Sequence, residues 1–385
     1  MKTNQPSYII SLACAITWIF LFGCTPRNQH HDGYIIHVNI GRTPPVKELN
    51  LTEIARVEFL QLPVHDDFLF RGRPRIITDN KIIFGEGMSG DILIFSRDGT
   101  PLSRFNRRGG GAQEFNTMGS VMFDEASNEI FVVASNRILV YSLEGEFKRA
   151  LPLLEDARIF DALIVNFNAE LFLIYDENDV YPAPFSLISK YDGSVVGTID
   201  VPIGEPLSDR IEMMQGERHL IFMPWRTRMI PHPDGFLLNN YSTDTLFLLS
   251  PTKELTPFLV RTPGLHASTP ITIDGFIEAG EYQIVHTTRY QIQDMRIPEF
   301  YLMRNRTTGS MYTQRFIFDE FRGKEITLSF HTIRPTQNSR IGLISLDLTE
   351  LQDANDEGRL SGRLKEIVDN SEEDGNNVFM LLHFK

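Results

Sequence analysis

From Ile54 onward, apolar residues recur in short runs of four to six, broken by turn-forming Gly, Asp, Asn and Ser. Runs of this length with this punctuation predict β-strands rather than helices. The runs repeat. Residues 76–107 (IITDNKIIFGEGMSGDILIFSRDGTPLSRFNR) and 121–149 (VMFDEASNEIFVVASNRILVYSLEGEFKR) share one order: strand, turn, strand, turn, strand, tight turn, strand. The tight-turn glycines Gly99, Gly145 and Gly193 stand 46 and 48 residues apart. A fourth unit spans 233–260, and a fifth spans 281–316 with Gly309 in the corresponding turn. A period in the forties with four strands per unit is what a β-propeller blade requires, each small sheet burying its faces only against its neighbours.

Closing such a ring demands that the first and last blades meet without an open strand edge. ARVEFLQL (55–62) and NVFMLLHF (377–384) are suited to share one blade. Five visible units plus this shared blade predict an all-β, six-bladed β-propeller over 51–385. Between the last repeat and the closing strand (376–385), residues 344–375 place Leu346, Leu348, Leu351, Leu360, Leu364 and Ile367 at helical spacing. They predict one or two short helices, with ten acidic against three basic residues on a solvated face.

The N-terminus follows a different pattern. Lys2 precedes the uncharged run Ile9–Phe22 and the tetrapeptide Leu21-Phe22-Gly23-Cys24. Fourteen residues are too few to span a bilayer, which takes roughly 20. A basic start, a short apolar run and a small residue before cysteine read as a lipoprotein signal over 1–23, with Cys24 the lipidation site. Residues 24–50 read as the lipidated cysteine and a polar tether. The only other cysteine, Cys14, lies inside the signal, so the mature chain has no disulfide, thiol nucleophile or thiolate metal site.

The formal charge is −13, and −14 once the signal with Lys2 is removed. An acidic chain argues against nucleic acid as a partner and against electrostatic docking on anionic lipid. The expected membrane link is therefore covalent lipid, placing the chain in the cell envelope as an outer-membrane lipoprotein facing the periplasm, with surface display open.

Chemistry-bearing motifs are sparse. The turn Arg107-Arg108-Gly109-Gly110-Gly111 lacks the lysine and strand–helix setting of a nucleotide loop, and Glu114 is placed to cap its backbone donors. Asp176-Glu177-Asn178-Asp179 lacks the spacing of a calcium loop. His219, His232, His266 and His286 are scattered over different units, and no Gly-x-Ser-x-Gly elbow is present. The expectation is no catalytic residue, no metal and no cofactor. Trp225, beside Arg226 and Arg228 on a connection between units, suits contact with carbohydrate or peptide. Arg73, Arg107, Arg108, Trp225, Arg226 and Arg228 are the candidate ligand-binding residues.

The run IIFGEGMSGDILIFSRDGTPLSRFNRRGGGAQEF, the following FDEASNEIFVVASNRILVYSLEGEF, the element Ser242-Thr243-Asp244-Thr245-Leu246-Phe247 and the terminal Asn376-Asn377-Val378 resemble the six-bladed β-propeller lipoproteins abundant in Bacteroidetes, once classed as a domain of unknown function. Asn377 stands where that family usually has proline. The resemblance implies an NHL-like propeller and no established activity. Two functions are therefore carried forward: a lipid-anchored scaffold binding protein, peptide or carbohydrate, and alternatively a hydrolase or lyase acting at the central funnel.

Overall fold

In a computed structural model, the repeated runs become sheets that stack around a ring. The structure describes residues 1, 35–65, 67–70, 72–134, 136–154, 163–176, 180–224, 227–333 and 340–385. The chain divides into Met1–Tyr34 and a body, Ile35–Lys385, which carries the fold.

Blades 1 to 3 are four-stranded antiparallel sheets with strands in chain order, built from residues 76–106, 120–152 and 164–199. Blade 4 (229–262) and blade 5 (271–317) follow the same order and each gains a fifth, outer strand. Blade 6 is assembled from both ends of the chain. Val378–Phe384 pairs on one side with Ile341–Leu346 and on the other with the N-terminal strand Ala55–Gln61. The helix Phe330–Ile333 lies against Ile341–Leu346 and against the first strand of blade 5, where an inner strand would otherwise stand. Two helices, Leu348–Asp356 and Gly362–Asp369, precede the closing strand, the first capped by Asp347 through the Glu350 N–H.

The middle strands of each blade are buried on both faces, which is why they read as continuous apolar runs rather than alternating ones. Glu129–Ala134 is buried along its whole length, and Asp91–Ser96 at its four central positions. Aromatic rings fill the seams. Phe131 meets Phe172 edge-on at 5.0 Å between blades 2 and 3. Leu60, Phe379 and Leu381 of blade 6 join Ile77, Ile82, Phe84, Leu93 and Phe95 of blade 1 in one cluster, so the ring closes through apolar packing. The repeat also persists in its irregularities. The third and fourth strands of blades 1 to 4 slip register at Ile94/Phe95, Val140/Tyr141, Leu187/Ile188 and Leu246/Phe247. Just beyond, Gly99, Gly145 and Gly193 adopt φ of 91°, 83° and 77°, as tight hairpin turns need.

One stretch departs from the sequence reading. Residues 36–39 and 46–50 fall within the expected tether, yet Ile36–Asn39 pairs in parallel with the outer strand of blade 4, and Val46–Asn50 with that of blade 5. With Ala55–Gln61 in blade 6, the N-terminal chain forms a strap along the outer edges of three successive blades. The driving force is in the residues: Ile36, Val38 and Ile40 are buried while His37 and Asn39 face solvent.

Candidate functional site

Strand alternation divides the ring into two unlike faces. Within each antiparallel blade, the turns joining strands one to two and three to four emerge on one side. The loops joining strands two to three, and all connections between blades, emerge on the other. The first face carries the tight glycine turns. The second carries the long segments 62–75, 107–119, 200–228, 263–270 and 290–298, together with the helices of blade 6. Of the candidate ligand-binding residues, Arg73, Arg107, Arg108 and Arg228 belong to segments of this loop face.

The fold engages several of them. Arg107 donates through Nε to the Gly145 carbonyl at 2.8 Å, tying the first connection to the next blade's turn. Arg108 donates through Nη1 to the Met88 carbonyl, and its backbone bridges to Phe115. The glycine turn between them is filled by its own carboxylate: Glu114 Oε2 accepts from the Gly111 N–H at 2.9 Å, and a Cβ on Gly109 would lie 2.1 Å from the same oxygen. Arg228 is buried with its guanidinium 4.5 Å from the Tyr175 ring and 4.6 Å from the Tyr241 ring, a cation held between two aromatic faces at the seam of blades 3 and 4. Trp225 and Arg226 lie outside the described residues, as does Cys24.

Arg73 remains turned outward. Its Nη1 donates to the His331 carbonyl at 3.1 Å, across the seam from blade 1 to blade 6. The residue is exposed, yet its pKa is lowered, first by desolvation and then by the nearby Arg75 charge. Among the described residues Arg73 pairs with no carboxylate.

Two polar arrangements escaped the sequence reading. The first is a buried seam between blades 4 and 5. Asp274 accepts from the Tyr241 hydroxyl and from Thr272 Oγ1 at 2.9 Å, and Asn239 Nδ2 donates to the Ile273 carbonyl at 2.6 Å. Arg261 Nη2 donates to the Thr243 carbonyl at 2.6 Å, with Asp244 3.7 Å from its Nε. Burial raises the pKa of Asp274 and Tyr241 and lowers that of Arg261, the direction desolvation gives each charged form. These groups serve one another inside the wall. The one signal in the sequence was Asp274, an acid in the middle of the apolar run ITIDGFI.

The second arrangement stands at the surface of blade 5. His286 Nε2 lies 3.2 Å from Glu299 Oε2, and the Tyr301 hydroxyl donates to the same oxygen at 2.7 Å. The His286 and Tyr301 rings stack, centroids 4.8 Å apart and planes 8° from parallel. The hydrogen bond from His286, joined by that from Tyr301, holds Glu299 below the usual carboxylate range. Burial and the Glu299 charge push Tyr301 up. Both shifts move away from neutrality, whereas a general acid or base works best with a pKa near ambient pH. The group is built as a fixed, ionised acceptor. Two other histidines have separate surroundings: His219 pairs with Glu212 at 3.0 Å on the hairpin 211–222, and buried His232 packs on Phe258 at 4.9 Å. Among the described residues no three His, Cys, Asp or Glu side chains gather as metal ligands. No helix among them is long and apolar enough to cross a membrane.

The sequence profile of one family, described as a domain of unknown function (DUF4934), matches residues 34–383. The chain belongs to that family. The match takes in both strap strands along with all six blades. Among solved structures, an exported protein from Bacteroides fragilis is similar in fold, with a TM-score of 0.55 at 13% identity, over 91% of this chain and 100% of that one. Two more distant structures are virginiamycin B lyase from Staphylococcus aureus (TM-score 0.32, 13% identity, 66% of this chain, 97% of that one) and the Pan2 WD40 domain of Neurospora crassa (TM-score 0.34, 10% identity, 84% and 95%). At those scores neither bears on function. No curated protein matches the chain. Family membership and the similar Bacteroides fragilis structure support a six-bladed propeller.

Proposed function

We propose that this protein is a lipid-anchored envelope scaffold that binds its ligand or partner on the loop face of the propeller, without turning it over. The observation that carries the reading is the segregation of loops. Among the described residues, the connections between blades and the loops joining strands two to three open on one side, where Arg73 and Glu299 present charge, while the tight glycine turns lie on the other. Preformed polar groups on a stiff frame favour recognition. The directions of the Glu299 and Tyr301 shifts support binding over acid–base chemistry. Anchoring rests on Cys24 behind its apolar run, and the similar exported protein from Bacteroides fragilis is consistent with an envelope location.

Two experiments test the two halves. Labelled palmitate should enter the wild-type chain and not Cys24→Ser, which should move to the soluble periplasmic fraction; equal labelling of both would overturn anchoring. A photoreactive residue at exposed Met88 or Met295 on the loop face should form crosslinks in cells, and one at Tyr191 on the turn face should not. Crosslinks from Tyr191 alone would overturn the choice of face.

A further inference from the structure

Blade 6 keeps an open outer edge where the strap covers those of blades 4 and 5. Its strands run in the order Ile341–Leu346, Val378–Phe384, Ala55–Gln61, and the last has no neighbour on its outer side among the described residues. The phase of the ladder shows which groups are spare. The Lys385 N–H donates to the Ile54 carbonyl at 3.0 Å, so Arg56, Glu58 and Leu60 bond inward to Val378–Phe384. The N–H and C=O groups of Val57 and Phe59 therefore point out of the sheet.

That edge lies in a groove. Two cavities of about 600 and 570 Å³ run along it and share Glu58, Phe59 and Arg363. The helix Gly362–Asp369 forms one bank through Arg363 and Ile367. Phe318, just past blade 5, lines the first cavity, and Arg97 and Asp98 in the tight turn of blade 1 line the second. The floor is part apolar, with the Phe59 and Phe318 rings 5.9 Å apart and Val57 half-buried.

Charge narrows what fits. Glu58 already accepts from Arg97 Nη2 at 2.7 Å and lies 2.7 Å from His383 Nε2. Arg56 reaches the same carboxylate only at 3.7 Å and stays 65% exposed. Arg363, 69% exposed, has a surface pair with Glu366 at 2.9 Å, an arrangement worth little in water. Glu320 accepts from the Leu364 N–H at 2.8 Å, and Lys385 Nζ donates to the Thr52 carbonyl at 2.6 Å. Two exposed guanidinium groups thus stand beside an edge strand, and guanidinium suits carboxylate. A small anion would meet the arginines and leave the backbone groups and the apolar floor unused. A basic strand would use the backbone and be repelled.

We propose that this edge takes up an extended segment of another protein as an added strand, its acidic side chains toward Arg56 and Arg363 and its apolar ones on Val57, Phe59 and Phe318. The molecule supplies the precedent, since the outer edges of blades 4 and 5 each accept one short strand from the strap. The groove is a second surface, separate from the residues of the loop-face reading, so either can fail without the other.

The capped heptapeptide TVEVEVT, its lysine counterpart TVKVKVT, and TVEVEVT N-methylated at two adjacent central amides separate the contributions by calorimetry on the full chain in mild detergent. TVEVEVT should bind about tenfold more tightly than TVKVKVT. The methylated peptide, blocked on both of its edges, should lose binding. A double variant, Arg56→Gln with Arg363→Gln, should bind the two unmethylated peptides alike. Val57→Pro removes one outward N–H at an edge position where proline is tolerated, and should lose binding. Melting temperatures near wild type show that the variants fold. Methylated peptide binding as tightly as its parent would overturn the proposal, as would equal affinity of the wild type for the acidic and basic peptides. No heat from TVEVEVT at millimolar concentration would do the same. Sedimentation showing a dimer of the full chain that Val57→Pro dissociates would give the edge to a second copy and overturn the assignment to another protein.

Discussion

Tyr241 holds the seam between blades 4 and 5 at the cost of an unfavourable backbone, with φ at 52° in the left-handed region. Its hydroxyl sits on the buried Asp274, and its ring covers the Arg228 guanidinium. Tyr241→Phe keeps the ring and removes the donor, leaving the carboxylate short of one partner. Urea denaturation should show a loss of about 1–3 kcal/mol, the cost of an under-satisfied buried polar group; an unchanged midpoint would mean the bond contributes nothing. At the blade 2–3 seam, Glu129 accepts from Arg149 Nη1 and Nη2 at 2.8 and 2.7 Å, and from Lys148 at 3.2 Å. The Arg149 bonds lead in holding its carboxyl below the ordinary value of 4.5. A depressed folded value means the contribution is complete above the unfolded pKa and is lost as pH falls through the folded one. Stability measured from pH 7 down to pH 3 should therefore fall less steeply in Glu129→Gln than in wild type. Residues differed in how far the sequence disclosed them. Glu114 was legible as a cap because it stands within a few residues of the glycine turn it closes. Arg107 and Arg108 were not, since composition does not tell whether a loop arginine aims at solvent or at a carbonyl 38 or 20 residues away in the chain. His286 and Glu299 meet only through the register of two adjacent strands, and a one-residue slip would part them.

The strap is the element that most changes the picture drawn from the chain. Ile36–Asn39 and Val46–Asn50 are short, mix polar with apolar residues and flank paired prolines, features shared by tethers and edge strands. What separates the two is the burial of Ile36, Val38 and Leu49 against blades that sequence alone could not place beside them. Blades 1 to 3 were legible because each is a local repeat, with its turn glycine, bulge and apolar runs contained in fewer than fifty residues. Val38 is 1% exposed in the core shared by blades 4, 5 and 6. Val38→Asp puts a charge there and should release the strap, seen as new protease cleavage between residues 35 and 50 while the blades stay intact. Unchanged cleavage would show that the segment behaves as a tether after all.

At the scale of the whole molecule, the ring turns strand alternation into a functional asymmetry. Both chain ends meet in blade 6, its apolar layer runs on into blade 1, and the helices before the closing strand join the connections on the loop face. The closing strands were visible in the sequence as two unmatched apolar runs at the ends of a repeat. The Arg73 bond to the His331 carbonyl was not, because its two partners come from different blades and share no local pattern. The central claim is that the ligand or partner of the ring docks on the loop face rather than the turn face. Photocrosslinking of the full chain in cells, with the reactive residue placed in turn at Met88, Met295 and Tyr191, reads both faces at once. Crosslinks from Met88 or Met295 and none from Tyr191 are the predicted result. Crosslinks from Tyr191 with none from Met88 or Met295 would contradict it.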